Sequence, residues 1–428
     1  MITFTVNIVD SSGKSISVVR EYDGELAGRS LSEIESLIFQ GKQETMEASE
    51  LSLLELNQIE HSKKKETLCK NGKTSLVVRT LNGVHHFENQ RYVDDIGTSS
   101  SYLSSYLSVG LSELICYYSN RISYRELAGL LERMVGKSPY KSRHLQNIVV
   151  RESQCVAEYN HQANTGIQLS LNFVSQVDIY DIASKEVVYF DDGVGVKRQK
   201  EHRCKEGDSG SKSASTVQTD VVLIKNANNE YEYLTSAESH LCDLTLEDKI
   251  NITLSKNNDN KYLPLVAITD GAQCIRCRLR RLFGKDVMII LDWYHLTEKI
   301  RQYSSRLGLS KSIKESHITE MLRYLWNGQP INALIYSDVM IETKNVTILE
   351  ELQQYILKHQ DEICNYGYRK VIGKIIGSGK GEKANDQLVA HRQKKKGQSW
   401  SQKGSGALTI LKTLEINNQW DQYWQKAA

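Results

Sequence analysis

The chain has 428 residues, which is enough for two or three domains with a large core. Charged residues make up 25% of it and the formal net charge is +2, so the overall balance does not by itself indicate a nucleic-acid-binding protein. No apolar run reaches the eighteen or so residues that a membrane span needs, and no signal peptide is visible. We therefore expect a cytoplasmic protein with its eight cysteines reduced and no membrane partner.

The charges are unevenly distributed along the chain. Between Arg369 and Lys403 there are ten lysines or arginines but only two acidic residues, Glu382 and Asp386. The stretch from Glu33 to Glu66 has the opposite bias. This asymmetry predicts a surface for a polyanion near the C-terminus.

Residues 1–96 are expected to form a small α+β region. Ile2–Val9 and Ser15–Arg20 alternate apolar and polar residues, which predicts a hairpin. Leu31–Ile59 is rich in Glu and Leu and predicts a helix, and a second hairpin is predicted across Asn82-Gly83. This region suggests no chemistry. A Ser-rich stretch at 98–105 is interpreted as a linker.

Residues 106–172 predict a helical region with a helix-turn-helix outline. Ser123 and Glu126 have the spacing of a capping box that opens the helix Tyr124–Met134. Gly136 would end this helix, and Ser138-Pro139 would start a second one that runs to about Arg151.

Three polar residues of that second helix, Arg143, Asn147 and Arg151, lie four apart and therefore share one face. One interpretation is a DNA-reading helix. The other is an ordinary helical hairpin with a solvated face, and the outline alone does not decide between them.

Residues 173–300, completed by 366–428, predict an α/β domain with a mixed sheet. An antiparallel meander comes first and a parallel βαβ unit follows, which is the ribonuclease H-like order. The predicted elements are the strand Val187–Phe190, the hairpin Asp220–Ile224 and Tyr231–Leu234, the helix Leu246–Leu254, and the strands Leu265–Ile268 and Val287–Leu291 on either side of a helix. Helices are predicted throughout Arg301–Lys358.

Asp270 and Asp292 follow the two parallel strands, where the functional crevice of an open α/β sheet lies. An Asp in this position can also be only a turn former. A third carboxylate, Asp192, follows the predicted strand Val187–Phe190, although the adjacent Asp191 is an alternative. Glu382 is the fourth, in the first turn of a long helix opened by residues 377–379.

Two divalent metals held by shared carboxylates are the catalytic unit of many polymerases and nucleases. Asp192, Asp270 and Glu382 are the candidate ligands for Mg²⁺ or Mn²⁺. Asp292 and His295 are three apart and share a helical face, so His295 is expected to orient a ligand or the scissile phosphate. The alternative is a capping Asp and a His at the edge of the core.

Basic residues accompany Glu382. Lys380 and Lys383 stand at the same helix start, where a phosphate is favoured. Further basic residues, expected on the same helix about 15 Å away, would grip DNA phosphates; they are Arg392, Lys394, Lys395 and Lys396. Trp400 would pack there or stack on an unpaired base. The alternative is a solvated helix end with Trp400 in the core.

The pair Cys274 and Cys277 lacks a second cysteine pair at a zinc-module spacing. We therefore expect no zinc. On a helix, the two cysteines are expected to be small core residues.

Taken together, these motifs resemble those of the DDE transposases of bacterial insertion sequences, in particular the ISKra and ISLre types, related to the Mutator-like superfamily. The resemblance runs from about Gly110 to the C-terminus. It depends on the order of four motifs, which are Asp192–Val194, Ile268–Ala272, Leu291–His295 and Ile376–Glu382. One departure is Lys380-Gly381, where the family usually has two apolar residues.

The resemblance implies a ribonuclease H-like catalytic core with a helical insertion at 301–365. It implies Mg²⁺-dependent strand cleavage and strand transfer by the triad of Asp192, Asp270 and Glu382, assisted by Asp292 and His295. The implied partner is double-stranded DNA, as terminal inverted repeats and target, bound by a homodimer or larger assembly at the bacterial nucleoid. A transposase-derived DNA-binding protein without catalysis, and a nuclease without strand transfer, remain as alternatives.

Overall fold

The computed structural model describes residues 1–25, 27–64, 69–93, 98–103, 105–135, 140–164, 167, 178–199, 215–240, 244–256 and 263–427. The chain divides into two compact units. Unit 1 comprises residues 1–152 with 421–428, and unit 2 comprises residues 153–420. This division is coarser than the four regions expected from the sequence.

Unit 1 begins with the predicted hairpin and helix. Strands β1 (Ile2–Val9) and β2 (Ser15–Tyr22) pair antiparallel, and helix α1 (Leu31–Lys64) follows. Strands β3 (Cys69–Arg79) and β4 (Val84–Val93) form the second hairpin. Both hairpins and the helix are therefore confirmed, with α1 extending beyond its predicted end.

A third strand, β5 (Ser99–Ser101), adds to β4 through antiparallel pairing. The interpretation of this Ser-rich stretch as a linker was therefore wrong at these three residues. Their side chains are exposed, so the strand is specified by backbone pairing to β4 and not by an apolar pattern that the sequence would reveal.

Helices α2 (Val109–Ser119), α3 (Tyr124–Val135) and α4 (Ser142–Asn164) follow. The capping box of α3 is confirmed, because the Ser123 N–H donates to Glu126 at 2.7 Å and the Glu126 N–H donates to Ser123 Oγ at 3.2 Å. The predicted turn residues Gly136, Ser138 and Pro139 lie outside the described residues. Helix α4 is longer than predicted and carries the boundary between the two units.

Unit 2 is a mixed α/β structure around a five-stranded sheet of order β10-β9-β6-β7-β8. The central strand pairs antiparallel with β7 and parallel with β9, and β9 pairs parallel with β10. Its strands are β6 (Val187–Lys197), β7 (Thr216–Lys225), β8 (Tyr231–Thr235), β9 (Leu265–Thr269) and β10 (Val287–Leu291). The predicted meander followed by a parallel unit is confirmed at this level.

One face of the sheet is covered by α5 (Leu246–Lys256) and α6 (Gln273–Phe283). Alternate strand residues such as Tyr189 and Ala267 are fully buried there together with Leu279. Because strand side chains alternate between faces, Phe190 and Ile268 belong to the opposite face.

The region after β10 is helical, as predicted. Its helices are α7 (Trp293–Arg306), α8 (Lys311–Trp326), α9 (Pro330–Met340), α10 (Val346–Lys358) and α11 (Tyr366–Val371). No helix in the described ranges is long and apolar enough to span a membrane.

Helix α12 (Gly379–Asn385) continues through a π-helical turn at Asp386–Ala390 into the short α13 (His391–Gln393). The predicted long helix therefore stops at Gln393, and the three lysines that follow lie beyond it. Helices α14 (Gln402–Ile416) and α15 (Trp420–Ala427) complete the described chain.

Candidate active site

Three aspartates occupy corresponding positions across the parallel strands of unit 2. The register pairs β6 with β9 and β9 with β10, and one level of it contains Phe190, Ile268 and Ile290. Two residues further along each chain come Asp192, Asp270 and Asp292. Parallel strands advance in step, so these three residues form one row at the carboxyl edge of β9 and β10.

Asp191 and Asp192 point to opposite faces of the sheet. Asp191 is buried on the α6 side, where it accepts hydrogen bonds from the Tyr189 hydroxyl at 2.8 Å and from Arg278 at 2.8 and 2.9 Å. Burial raises the pKa of Asp191 to about 6 against the opposing effect of Arg278. Asp192 shares the other face with Phe190, so it is the member of the pair that belongs to the candidate site.

The sequence suggested that the strand ends at these two aspartates, but it does not. Strand β6 continues to Lys197, because its pairing with β7 persists as far as Lys197 and Thr216. Gly193 and Gly195 conceal this continuation in the sequence, since glycine is depleted in strands.

Helix α12 packs closely on this face of β6. A Cβ atom at Gly381 would lie 3.1 Å from Cβ of Phe190, so the helix approaches the strand at a position without a side chain. This close contact explains why position 381 is a glycine. Asn385, one turn after Glu382, donates to Asp192 Oδ2 at 2.6 Å.

Asp192 is half-buried and its carboxyl is held from two directions. The N–H of Gly193 donates to Oδ1 at 2.7 Å, and Asn385 occupies Oδ2. Burial raises the pKa of Asp192, and the negative charge of Asp270 adds to this effect, while His295 and Lys394 oppose it. Asp270, His295 and Lys394 therefore each lie within electrostatic range of Asp192.

Asp270 follows β9 directly and is exposed. Its Oδ1 accepts a hydrogen bond from the Ala272 N–H at 2.8 Å, which is the turn-forming role considered from the sequence. The other carboxylate oxygen of this exposed side chain can still bind a ligand from the solvent. The two roles are therefore compatible.

Asp292 is fully buried and caps α7. Its Oδ1 accepts from the N–H groups of Tyr294 at 2.5 Å and His295 at 3.0 Å, and Oδ2 accepts from the Ser378 N–H. Although burial opposes them, the hydrogen bonds from His295 and Ser378 lower the pKa of Asp292 to about 2. Asp292 thus has the capping role and also fixes the turn that precedes Glu382.

His295 lies beside this buried carboxylate, with Nδ1 at 3.7 Å from Oδ2 of Asp292. The interaction with Asp292 raises the pKa of His295 against the effect of burial, and Glu382 and Asp270 raise it further. His295 therefore interacts electrostatically with both Glu382 and Asp270. Its side chain is half-buried, so it is not a core residue.

Glu382 is exposed in the first turn of α12. The preceding turn is fixed to the start of α7, because Trp293 donates to the Ile376 carbonyl at 3.2 Å and the Ser378 N–H donates to Asp292. At Gly377 a Cβ atom would lie 2.8 Å from the Tyr294 ring, so the turn is also tightly packed.

The available donors suit a hard cation, because they are carboxylate and amide oxygens. The Oδ1 atom of Asn385 is buried and has no hydrogen-bond partner within the described ranges. Among the residues that the structure describes, however, no group of three or more His, Cys, Asp or Glu side chains is arranged to hold a metal ion. The side chains therefore provide suitable chemistry near one another without a closed ligand set.

The basic residues differ in exposure. Those exposed to solvent are Lys380, Lys383, Lys394, Lys395 and Lys396. Arg392 and Trp400 are buried, with the guanidinium 5.0 Å from the centre of the indole ring. Trp400 Nε1 donates to the Gln393 carbonyl at 2.9 Å, which favours packing over base stacking for this residue.

Some residues differ from their predicted environment, and others were not predicted to be part of the site. Cys274 and Cys277 are exposed on α6, so their interpretation as core residues was wrong. Arg278, the partner of Asp191, was not singled out, because its contacts come from strands 58 and 87 residues away. Asn385 was also missed, although its spacing of three from Glu382 places it on the same helical face.

The candidate DNA-reading residues Arg143, Asn147 and Arg151 all lie on α4 in unit 1. Arg143 and Asn147 are exposed, and Arg151 forms an ion pair with Glu152 at 2.6 Å.

No protein-family model matches the chain, and no curated protein matches it.

Proposed function

We propose that this protein is a transposase of a bacterial insertion sequence, with a ribonuclease H-like catalytic unit that cuts and joins DNA strands. The sheet order, with a central strand between an antiparallel pair and a parallel pair, supports this core. The helices of residues 301–358 lie in the chain between Asp270 and Glu382, as a helical insertion would.

The observation that carries the proposal is the grouping of side chains that are far apart in sequence. Asp192 interacts electrostatically with Asp270, and His295 interacts with both Asp270 and Glu382. Perturbed pKa values cluster at functional sites, and a turn former or a helix cap alone gives no reason for this grouping.

The catalytic ligands in this proposal are Asp192, Asp270 and Glu382. Bound Mg²⁺ or Mn²⁺ would activate a water or a 3′-hydroxyl and stabilise the leaving oxygen. The backbone N–H of Gly193 and the amide of Asn385 hold the Asp192 carboxylate in place. The turn anchored by Asp292 holds the start of α12, from which Glu382 projects.

His295 serves as a cationic donor toward the scissile phosphate. Its raised pKa favours the protonated form, and protonated imidazole donates from both ring nitrogens. Nδ1 lies 3.7 Å from Oδ2 of Asp292, which is an ion-pair distance, and Nε2 is the nitrogen that donates to the substrate in this proposal. Lys394 lies within electrostatic range of Asp192, and the exposed lysines beside it grip the flanking phosphates.

The decisive experiment is a strand-transfer assay with DNA that carries the terminal repeats flanking the coding sequence. The wild-type chain should cut at the repeat ends and join them to target DNA with Mg²⁺. Asp192→Asn should abolish both steps, whereas Asp191→Asn, a matched change on the other face of the sheet, should retain them. The active form is expected to be a dimer or a larger assembly on DNA.

One observation favours a second candidate, a transposase-derived DNA-binding protein without catalysis. This is the lack, within the described residues, of three side chains arranged around one metal position. Specific binding of the repeats without cleavage in Mg²⁺ or Mn²⁺ would establish this function. Cleavage without joining would instead establish a metal-dependent nuclease.

A further inference from the structure

Unit 1 contains a cavity of about 380 Å³ beside helix α4. The side chains with polar or aromatic groups that line it are Arg79, Tyr106, Tyr140, His144, Asn147 and Arg151. Apolar groups of Leu107 and Ile148 complete the lining. No acidic side chain lines this cavity in the part of the chain that the structure describes.

The cavity is built by backbone pairing that brings distant residues together. Arg79, the last residue of β3, donates its N–H to the Tyr106 carbonyl at 2.9 Å and accepts at its own carbonyl from Ser108 at 2.9 Å. This pairing places the 106–107 segment beside the end of β3. Helix α4 supplies His144, Asn147, Ile148 and Arg151, whose spacing of three, four and seven defines a single face.

The cavity combines an apolar interior with a polar rim. Tyr140, Leu107 and Ile148 are buried, whereas Tyr106, His144 and Asn147 are exposed. The guanidinium of Arg151 lies 5.9 Å from the centre of the Tyr106 ring, and that of Arg79 lies 6.0 Å from the centre of the Tyr140 ring. Each aromatic ring is thus paired with a cationic group.

From this arrangement we infer that the cavity binds a single nucleotide, with its phosphate at Arg79 and its base against Tyr106. Arginine forks recognise phosphate oxygens, and aromatic rings stack on bases of any sequence. Asn147 offers an amide donor and an acceptor to the base edge. The volume is near the lower end of the roughly 300–1,000 Å³ of small-molecule pockets, which suits one nucleotide.

The shape of the site argues against a duplex as its ligand. A recognition helix enters the major groove as a projecting cylinder, with its reading residues free on its outer surface. Here Asn147 and Arg151 line a concavity that also involves the end of β3 and the 106–107 segment. Arg143, the third residue of the predicted reading face, does not line it.

The inference goes beyond the proposed catalysis and concerns unit 1 alone. The nucleotide has two possible sources, a free nucleoside monophosphate or an unpaired nucleotide of a DNA strand. The 428-residue chain should therefore be titrated with dAMP, with deoxyadenosine, with a short single-stranded oligonucleotide and with a blunt duplex of the same length, by calorimetry or fluorescence anisotropy at fixed salt.

We expect dAMP or the single strand to bind, and deoxyadenosine to bind at least about tenfold more weakly because it lacks the phosphate. Tyr106→Ala should weaken binding by roughly five- to a hundredfold, the range for loss of one stacked base, and Tyr106→Phe should restore it. Arg79→Ala should weaken binding about tenfold or more. Binding of dAMP alone identifies a free nucleotide, and preference for the single strand identifies a DNA strand.

Arg143→Ala is the matched control, because it removes a cation from the same helix without altering the cavity. It should leave dAMP binding unchanged. The inference is overturned if no nucleotide binds at millimolar concentration, if deoxyadenosine binds as well as dAMP, if Tyr106→Ala weakens the blunt duplex as much as the single strand, or if Arg143→Ala is as damaging as Arg79→Ala. Nucleotide binding by a chain that never cleaves DNA would leave this site standing while the catalytic proposal fails.

Discussion

The side-chain amide of Asn385 donates a 2.6 Å hydrogen bond to Asp192, a residue 193 positions earlier in the chain. This bond joins the central strand of the sheet to the helix that carries Glu382. Because Asn385 follows Glu382 by one helical turn, the contact also sets the direction of that carboxylate. Asn385 is therefore a positioning residue in the proposed site.

Substitutions of the adjacent residues Asp191 and Asp192 test which of the two aspartates belongs to the catalytic site. Asp192→Asn should reduce Mg²⁺-dependent cleavage by more than about a hundredfold, since even groups that only support a metal ligand contribute 10–100-fold. Asp191→Asn should retain cleavage and lower stability, because its contact with Arg278 lies on the other face. Equal loss in the two variants would contradict this assignment, as gel-based cleavage rates would reveal.

Substitution of Asp292 tests the anchor between α7 and the turn before Glu382. Asp292→Ala removes three hydrogen-bond acceptor contacts and should lower the free energy of unfolding by roughly 2–4 kcal/mol in urea denaturation. Asp292→Asn keeps the shape and one acceptor oxygen, so its loss should be smaller. An alanine variant as stable as the wild type would show that the anchor is dispensable.

The pH dependence of stability provides an independent test of the contribution of Asp292. Its pKa is lowered from 3.8 to about 2 on folding, so its contribution is present above pH 3.8 and is lost as the pH falls toward 2. The size of this contribution is roughly 2 kcal/mol, at 1.36 kcal/mol for each pKa unit. Asp292→Asn should remove this part of the acid destabilisation.

The charge of His295 predicts a limit to activity as the pH rises. Its pKa is raised above 6.5, so the cationic form persists to a higher pH than in a free imidazole and is lost as the pH rises through the raised value. Cleavage that depends on this cation should decline over that interval. His295→Gln should lower the rate and remove the decline, whereas an unchanged profile in the variant would exclude the cationic role.

The buried ion pair between Arg369 and Glu186 stabilises the segment that precedes the turn before Glu382. Arg369 is fully buried and donates to Glu186 at 2.9 and 3.0 Å, and to the carbonyls of Ile179 and Ile375. Arg369→Met should lower the free energy of unfolding by roughly 3–5 kcal/mol, because Glu186 loses its bidentate partner. Arg323→Met, which breaks an exposed pair on α8, is the control and should leave the denaturation midpoint unchanged.

The lysines after α13 should contribute to DNA affinity without reading sequence. Changing Lys394, Lys395 and Lys396 together to Ala should weaken binding to all duplexes and reduce the slope of log K against log salt by up to about three. Binding isotherms at several salt concentrations measure this slope. An unaltered slope would exclude contact with phosphates, and a loss confined to one sequence would indicate base reading.

Much of unit 2 could be predicted because its signals are local. The strands β9 and β10 are short apolar runs, and their parallel connection followed from the helix between them. The position of Asp270 and Asp292 at the ends of these strands followed directly. Glu382 was also recognisable, since glycines on either side of Ser378 mark the turn that precedes its helix.

Features that depend on distant partners could not be predicted. Asp191 forms its ion pair with Arg278, 87 residues away, and nothing near Asp191 in the sequence indicates that contact. The helix after Glu382 was predicted to include Lys394, Lys395 and Lys396, but it ends at Gln393 after a π-helical turn at Asp386–Ala390. The burial of Trp400 likewise results from packing against residues such as Gln393.

The pairing at Trp400 has a consequence for how the protein is made. Its N–H donates to the Lys197 carbonyl at 2.9 Å, and its carbonyl accepts from Gln199 at 2.9 Å, so residues near the C-terminus bond to the end of the central strand. During synthesis, the ribosome must pass this tryptophan before the strand acquires its final partner. A nascent chain, or a chain truncated before Trp400, therefore lacks the two backbone bonds that secure the end of β6.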